Sequence, residues 1–216
     1  ARYWMHNGFL NIDNRKMSKS LGNFRTVREI AKQYDLQVLR FFMLSAHYRS
    51  PLNFSADLIE SSKNALERIV DAAGRLRDRK EADKRPMTES EQSLLKEAEG
   101  FRRKFEEAMD DDFNTADALA AVFELVKFAN TNVTEESTGA FAGAVLDIMV
   151  TLSDVLGLII LKKEEVLDKD VEELIQERQA ARKAKDFAKA DEIRGRLLEM
   201  GIELKDTREG VKWKRV

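Results

Sequence analysis

Residues Ser55 to Lys80, SADLIESSKNALERIVDAAGRLRDRK, place Ile59, Leu66, Ile69, Val70, Ala73 and Leu76 at helical spacing. That apolar stripe predicts one long helix with a single buried face. Ser55 can cap its start, and Arg75, Arg77, Arg79 and Lys80 crowd its end, where positive charge suits the helix dipole. Downstream, Lys80 to Met87 contains Pro86 and reads as a polar connection, after which Thr88 and Glu91 spell a capping box. The helix that follows presents Leu95, Ala98, Phe101, Phe105 and Met109. Asp110-Asp111-Asp112 interrupts it, and Asn114 with Thr115 starts another, carrying Leu119, Val122, Phe123 and Val126. After the polar stretch Asn130 to Thr138, a fourth stripe runs through Phe141, Val145, Ile148, Met149, Leu152 and Leu156 to Gly157. Four stripes with short connections predict an antiparallel helical bundle.

Upstream, Ala1 to Asn14 reads as a short extended segment with a turn at Asn7-Gly8. Then comes Lys16-Met17-Ser18-Lys19-Ser20-Leu21-Gly22-Asn23. Two lysines three positions apart, with Ser18 and Ser20 between and beside them and Gly22 as a hinge, can gather cations and hydroxyls around a triphosphate. Attack on an α-phosphate leaves pyrophosphate with growing negative charge, which fixed cations stabilise. The two lysines alone favour an ordinary solvated basic loop. Thr26 and Glu29 form a capping box for a helix from Val27 to about Tyr34, and Asp35 caps a second with Val38, Leu39, Phe42 and Met43. At the other end, Leu158 to Lys169 reads as a charged linker. Val171 to Lys185 and Phe187 to Met200 read as two helices, and Ile202 to Leu204 with Val211 to Lys214 as a small hairpin. So small a module needs its aromatics, so Trp213 and Phe187 are natural core residues.

The net charge of −2 hides blocks: residues 1–85 hold about 17 basic and 10 acidic side chains, and 86–170 about 8 and 19. Basic ends flanking an acidic middle suit a protein that touches RNA at separated places, although helical proteins also show such blocks without that role. No apolar run is long enough to span a bilayer, so a membrane protein is not expected and a cytoplasmic one is. The chain has no cysteine, which excludes a disulfide framework, and its two histidines lie too far apart for a local zinc site. The triple aspartate lacks the ligand spacing of a calcium loop and reads as a solvated helix start, so no metal site is expected.

The eight-residue string matches the second signature, KMSKS, of class I aminoacyl-tRNA synthetases. Its flanks resemble the cysteinyl-tRNA synthetase family: Tyr3-Trp4-Met5-His6-Asn7-Gly8-Phe9 before it and His47-Tyr48-Arg49-Ser50-Pro51-Leu52-Asn53-Phe54 after it. So do Ala181 to Asp191 and the stretch from Gly201 through Asp206 and Thr207 to Gly210 and Trp213. The resemblance runs the length of the chain. It implies a mainly α architecture in three parts: a KMSKS-loop and stem-contact segment (1–54), a helical bundle of the anticodon-binding type (55–165), and a small α+β C-terminal anticodon-recognition module with a short β-hairpin (166–216). No HIGH motif is present, and the chain is expected to be the C-terminal portion of such an enzyme, beginning just before the KMSKS loop and inactive alone. The family's zinc, bound through Cys, His and Glu side chains, would then lie on residues absent here.

The resemblance also implies roles. Lys19 is the lysine assigned to ATP, with Lys16 assisting and Ser18 and Ser20 donating to phosphate or fixing the loop. Met17 reads as a buried anchor. Trp4 and His6 border the nucleotide site or simply pack, and His47 and Arg49 are structural or touch the tRNA inner bend. Arg182, Asp191 and Asp206 are expected to meet the anticodon, and Phe187, where family members often carry Trp, offers a face for a base. Without the resemblance, Arg182 and Asp191 read as helix-surface ion-pair residues. The implied partners are ATP, cysteine and tRNA-Cys. The other readings are a free-standing tRNA-binding or assembly module without catalysis, and a ligase relative of the mycothiol pathway, which shares the KMSKS region but lacks the terminal module.

Overall fold

The computed structural model describes residues 2–161, 169–184, 186–207 and 210–215. It divides into two compact units, 1–162 and 163–216. Its described elements are mainly helical.

The first unit opens with a hairpin, β1 (Leu10–Ile12) and β2 (Arg15–Lys16), paired Asn11 to Lys16 and Ile12 to Arg15. The turn lies at Asp13 and Asn14, both left-handed (φ 48 and 61), the conformation a two-residue hairpin turn of right-handed strand twist requires. The turn expected at Asn7-Gly8 does not form. Gly8 instead runs extended against the chain, donating its N–H to the Tyr48 carbonyl (2.6 Å), and a Cβ there would overlap the Ser50 carbonyl oxygen. Close approach, not turning, is what glycine supplies. β3 (Leu52–Phe54) joins β1 in parallel, giving the order β2-β1-β3. Parallel neighbours need a crossover, and this one carries the KMSKS loop, α1 (Val27–Ile30) and α2 (Leu36–Leu44). α1 is shorter than its capping box predicts, passing after Ile30 into turns.

The bundle consists of α3 (Ala56–Ala82), α4 (Glu89–Asp110), α5 (Thr115–Asn132) and α6 (Gly139–Val155). α3 packs on α6 and α4 on α5. The predicted stripes supply the core: Ile59, Ile69, Ala73, Phe141, Val145 and Met149 are wholly buried. Leu158 and Ile160, expected in a charged linker, are also buried in it. Arg40 of α2 donates Nε–H to the Leu156 carbonyl (2.6 Å) and Gln37 accepts the Ile159 N–H (3.0 Å), so α2 holds this extension down.

Two carboxylates close one end of the bundle. Glu91, 8 % exposed, completes the α4 capping box by accepting from the Thr88 N–H and hydroxyl (both 2.9 Å). It also accepts from the N–H (2.7 Å) and hydroxyl (2.9 Å) of Thr138, the N-cap of α6. Asp83, just past α3, accepts from the N–H groups of Arg85 (2.8 Å) and Gly139 (3.2 Å) and from the Arg79 and Arg85 guanidinium groups. Burial alone would raise the Asp83 carboxyl, but the Arg85 and Gly139 N–H groups and the Arg85 side chain hold it at about 2. Glu91 is likewise lowered: its burial opposes ionisation, and the hydrogen bonds from Thr88 and Thr138 outweigh it.

The second unit has α7 (Lys169–Lys183), α8 (Phe187–Glu199) and the antiparallel pair β4 (Ile202–Thr207) and β5 (Gly210–Arg215). Val171, Ile193, Leu197, Ile202 and Leu204 form its core. Phe187, expected to help fill that core, is 61 % exposed instead. The Trp213 side chain lies outside the described residues.

Glu91→Ala strips four acceptor contacts from two helix starts and leaves a buried hydroxyl and N–H unpaired, so denaturant unfolding should show a loss of about 2–4 kcal/mol. Acid should act in the same direction. Both carboxyls are depressed in the folded chain, so their contribution is complete above the unfolded values of about 4 and is lost as pH falls through the lowered folded-state values, which for Asp83 is about 2. Unfolding midpoints that stay level across that window would contradict this account.

Candidate functional site

The KMSKS residues leave β2 and turn back on themselves. Asn23 clamps the turn: its Oδ1 accepts the Ser18 N–H (2.9 Å) and its Nδ2 donates to the Lys16 carbonyl (3.1 Å). Ser18 Oγ accepts the Leu21 N–H (3.2 Å) and lies 3.0 Å from Ser20 Oγ, while Gly22, left-handed at φ 66, donates to the Lys19 carbonyl (3.1 Å). Met17 packs against the main core and anchors the loop. Lys16 and Lys19 are exposed, and each ammonium sits over an aromatic ring, 5.5 Å from the centroid of Phe9 and of Phe24 respectively. Among the described residues neither is paired with a carboxylate. The loop therefore offers two cations and two hydroxyls on a hydrogen-bonded frame. Trp4 is 75 % exposed and stacks on His6 (6.4 Å between centroids), so neither fills a core here. The lysines and serines stand out in the sequence, whereas the part of Asn23 shows only in the folded loop. An Asn five residues beyond a serine carries no signal until the backbone turns.

His47, Tyr48 and Arg49 converge on Asp112. Tyr48 donates its hydroxyl to Oδ1 (2.8 Å), Arg49 approaches Oδ2 (3.0 Å) and also donates to the Tyr48 hydroxyl (3.0 Å), and His47 Nε2 lies 3.7 Å from Oδ2. His47 and Arg49 thus make structural contacts in this fold, both at the same carboxylate. Asp112, read as part of a solvated helix start, is their common acceptor.

In the terminal unit, Phe187 opens α8 and Asp191 follows four positions later, so both lie on one exposed helix face. Arg182 is exposed in the last turn of α7. Asp206 stands in β4 opposite Val211, and its side chain lies outside the described residues. Lys189 bonds Glu177 across the two helices (2.7 Å), which raises the lysine and lowers the glutamate from their ordinary values. The structure brings Phe187 and Asp191 together. It places Arg182 on the neighbouring helix.

Three family models match in order along the chain: the tRNA synthetases class I (C) catalytic domain at residues 1–64, the DALR domain at 104–161, and the cysteinyl-tRNA ligase anticodon binding domain at 164–213. Curated proteins called cysteine–tRNA ligase match every residue of it. The one from Lachnospira eligens is 59% identical over 216 residues, and the one from Lachnoclostridium phytofermentans 60% over 221. The chain belongs to the cysteine–tRNA ligase family. It covers 46% and 47% of those two relatives, and so spans about half the length of the curated ligases it matches. The fold has a wider likeness. A crystal structure of the ternary LeuRS–tRNA–LeuAMS complex of Agrobacterium radiobacter K84 aligns at TM-score 0.57 and 17% identity, over 72% of this chain and 23% of that one.

Zinc does not fit the residues of this chain. It has no cysteine, and among the described residues no group of three or more His, Cys, Asp or Glu side chains could hold a metal. Also among the described residues, no helix is long and apolar enough to cross a membrane.

Asn23→Ala should loosen the KMSKS turn without unfolding the unit. Two partly exposed hydrogen bonds at about 0.5–1 kcal/mol each correspond to a roughly five- to 30-fold faster amide exchange at Ser18 to Gly22. Exchange unchanged at those amides would show that the clamp does not hold the loop.

Proposed function

We propose that this chain supplies the KMSKS loop and the tRNA-binding parts of a cysteine–tRNA ligase. The reaction joins cysteine and ATP to give cysteinyl-adenylate and pyrophosphate, then transfers the cysteinyl group to tRNA-Cys. The observation that carries this is the pair of exposed lysines, free of carboxylates among the described residues, on a loop whose backbone is fixed by Asn23. Cations already held where charge develops stabilise the departing pyrophosphate at little reorganisation cost. Lys19 carries most of this role and Lys16 assists, with Ser18 and Ser20 as hydroxyl donors to phosphate.

Residues 1–54 serve as the nucleotide-loop and stem-contact segment, 55–165 as the tRNA-binding bundle, and 166–216 as the anticodon-reading module. The match of 164–213 to the cysteinyl-tRNA ligase anticodon binding domain favours this over the mycothiol-pathway relative and supports tRNA as partner. It weighs equally for a tRNA-binding module without catalysis, against which the KMSKS loop stands. Zinc in the whole enzyme is assigned to residues outside this chain, and the cytoplasm, where tRNA is charged, is the compartment. In the terminal module, exposed Phe187 gives an unstacked base a π-face, and Asp191 and Asp206 accept from base-edge donors such as guanine N1–H and N2–H₂ or cytosine N4–H₂. Arg182 donates to guanine O6 or N7, or to a nearby phosphate.

In the full-length enzyme, Lys19→Ala should slow cysteine-dependent ATP–pyrophosphate exchange by about 100-fold or more while tRNA affinity holds. Unimpaired exchange would remove the loop from catalysis. Asp191→Ala or Asp206→Ala should weaken discrimination between wild-type and anticodon-mutant tRNA-Cys by roughly five- to 150-fold, as a base-edge contact of about 1–3 kcal/mol implies. If both variants charge with parental selectivity, the anticodon is read elsewhere.

A further inference from the structure

The cluster around Asp112 lies between the segment that carries the KMSKS loop and the helical bundle. Asp112 occupies the turn joining α4 to α5, and it and Phe113 are both left-handed, at φ 57 and 54, where side-chain-bearing residues are uncommon. The turn is held in that shape: the Asn114 N–H donates to the Ala108 carbonyl (3.1 Å), and the Asn114 side chain caps α5. The shape presents both Asp112 oxygens to the loop after α2, one to Tyr48 and the other to Arg49 and His47. Thr115 Oγ1, 3.5 Å from the Ala46 carbonyl, makes a second link between the same two places.

The loop's other side grips the strand leading into the hairpin. The Gly8 N–H donates to the Tyr48 carbonyl (2.6 Å), the Leu52 N–H donates to the Phe9 carbonyl (2.9 Å), and the contact of Gly8 with Ser50 leaves no room for slippage. From there β1 and β2 lead directly to Lys16. A continuous set of hydrogen bonds thus runs from the α4–α5 turn through Tyr48 to the strand that delivers the signature lysines.

Stability does not account for the arrangement. Arg49 is 67% exposed and Asp112 38%, and ion pairs so open to solvent add little to folding. What a carboxylate holding three consecutive residues does provide is a fixed position.

We propose that Asp112 is a positioning residue for amino-acid activation: its carboxylate locks residues 47–49, and through them the KMSKS hairpin, to the bundle. The placement of Lys16 and Lys19 against ATP then depends on a side chain that touches neither. This rests on the reading of the loop as the ATP site, and the test separates the two ideas.

The full-length ligase is compared with its Asp112→Ala, Asp112→Asn, Tyr48→Phe and Lys19→Ala variants and with the double variant Asp112→Ala/Tyr48→Phe. Three quantities are read: the KM for ATP in cysteine-dependent pyrophosphate exchange, the dissociation constant for tRNA-Cys, and the thermal midpoint. Asp112→Ala should raise the KM for ATP about fivefold or more with the other two nearly unchanged. Asp112→Asn, which keeps an acceptor for Tyr48, should fall between it and the parent. The double variant should be no worse than Asp112→Ala alone, because both changes break one connection. A KM for ATP within twofold of the parent, additive effects, or a lowered thermal midpoint as the sole change overturns the proposal. If Lys19→Ala cripples exchange in that case, the coupling fails and the loop reading stands. If Lys19→Ala is also silent, the loop reading fails with it.

Discussion

The Glu91 carboxylate is the constraint around which the bundle is organised. A helix start leaves N–H groups that its own backbone cannot satisfy, and burying two such starts side by side is costly without an internal acceptor. One ionised side chain serves both α4 and α6, through Thr88 and Thr138. Asp83, just past the end of α3, accepts the N–H of Gly139, the first residue of α6, and a guanidinium N–H of Arg79 in the last turn of α3. The three helices therefore meet at a defined level. The register of the apolar stripes, which alone would permit sliding by a turn, is fixed by hydrogen bonds that form at one alignment. Because both acceptors work as anions, the closure is chemically tied to ionisation while the packing behind it is not.

From that fixed end the order passes to the other. α4 runs from Glu91 to the left-handed turn at Asp112 and Phe113, and its length sets where Asp112 stands. The small sheet is held from there. Strands of three, two and three residues have too few ladder bonds to persist alone, and β1 and β3 pair in parallel across a connection that carries the KMSKS loop. They persist because Ile12 and Phe54 join the main core and because Tyr48 ties the incoming strand to the bundle. The loop is thus a local hydrogen-bonded turn seated on a support that is entirely tertiary.

The terminal unit works on a smaller scale. Its core of Val171, Ile193, Leu197, Ile202 and Leu204 is modest for a unit of its length, and the Lys189–Glu177 pair adds a bond between α7 and α8. Phe187 stays outside that core although it is the largest apolar side chain of α8. Its ring stands in water at the first turn of the helix, with the Asp191 carboxylate one turn on, and so adds little to the folding of the unit.

Local rules were enough to read the helices and their caps. Thr26 with Glu29, Asp35, Ser55, Thr88 with Glu91, and Asn114 each act on their own next turn, and the stripes from Ile59 to Leu156 report burial through a period that the chain itself carries. The KMSKS string and its flanks likewise named the family, because a signature is a property of order along the chain. Contacts between distant residues were beyond such reading. Gly8 answers to Ser50, 42 residues further along the chain, and Leu158 and Ile160 answer to the main core, neither of which shows in the local sequence. Glu91 as a second helix's cap, Asn23 as the clamp of the loop and Asp112 as the acceptor for Tyr48 and Arg49 share one reason for being missed. A carboxylate or amide shows in sequence what it can accept or donate, but its partner is chosen by the packing that brings another segment within 3 Å of it.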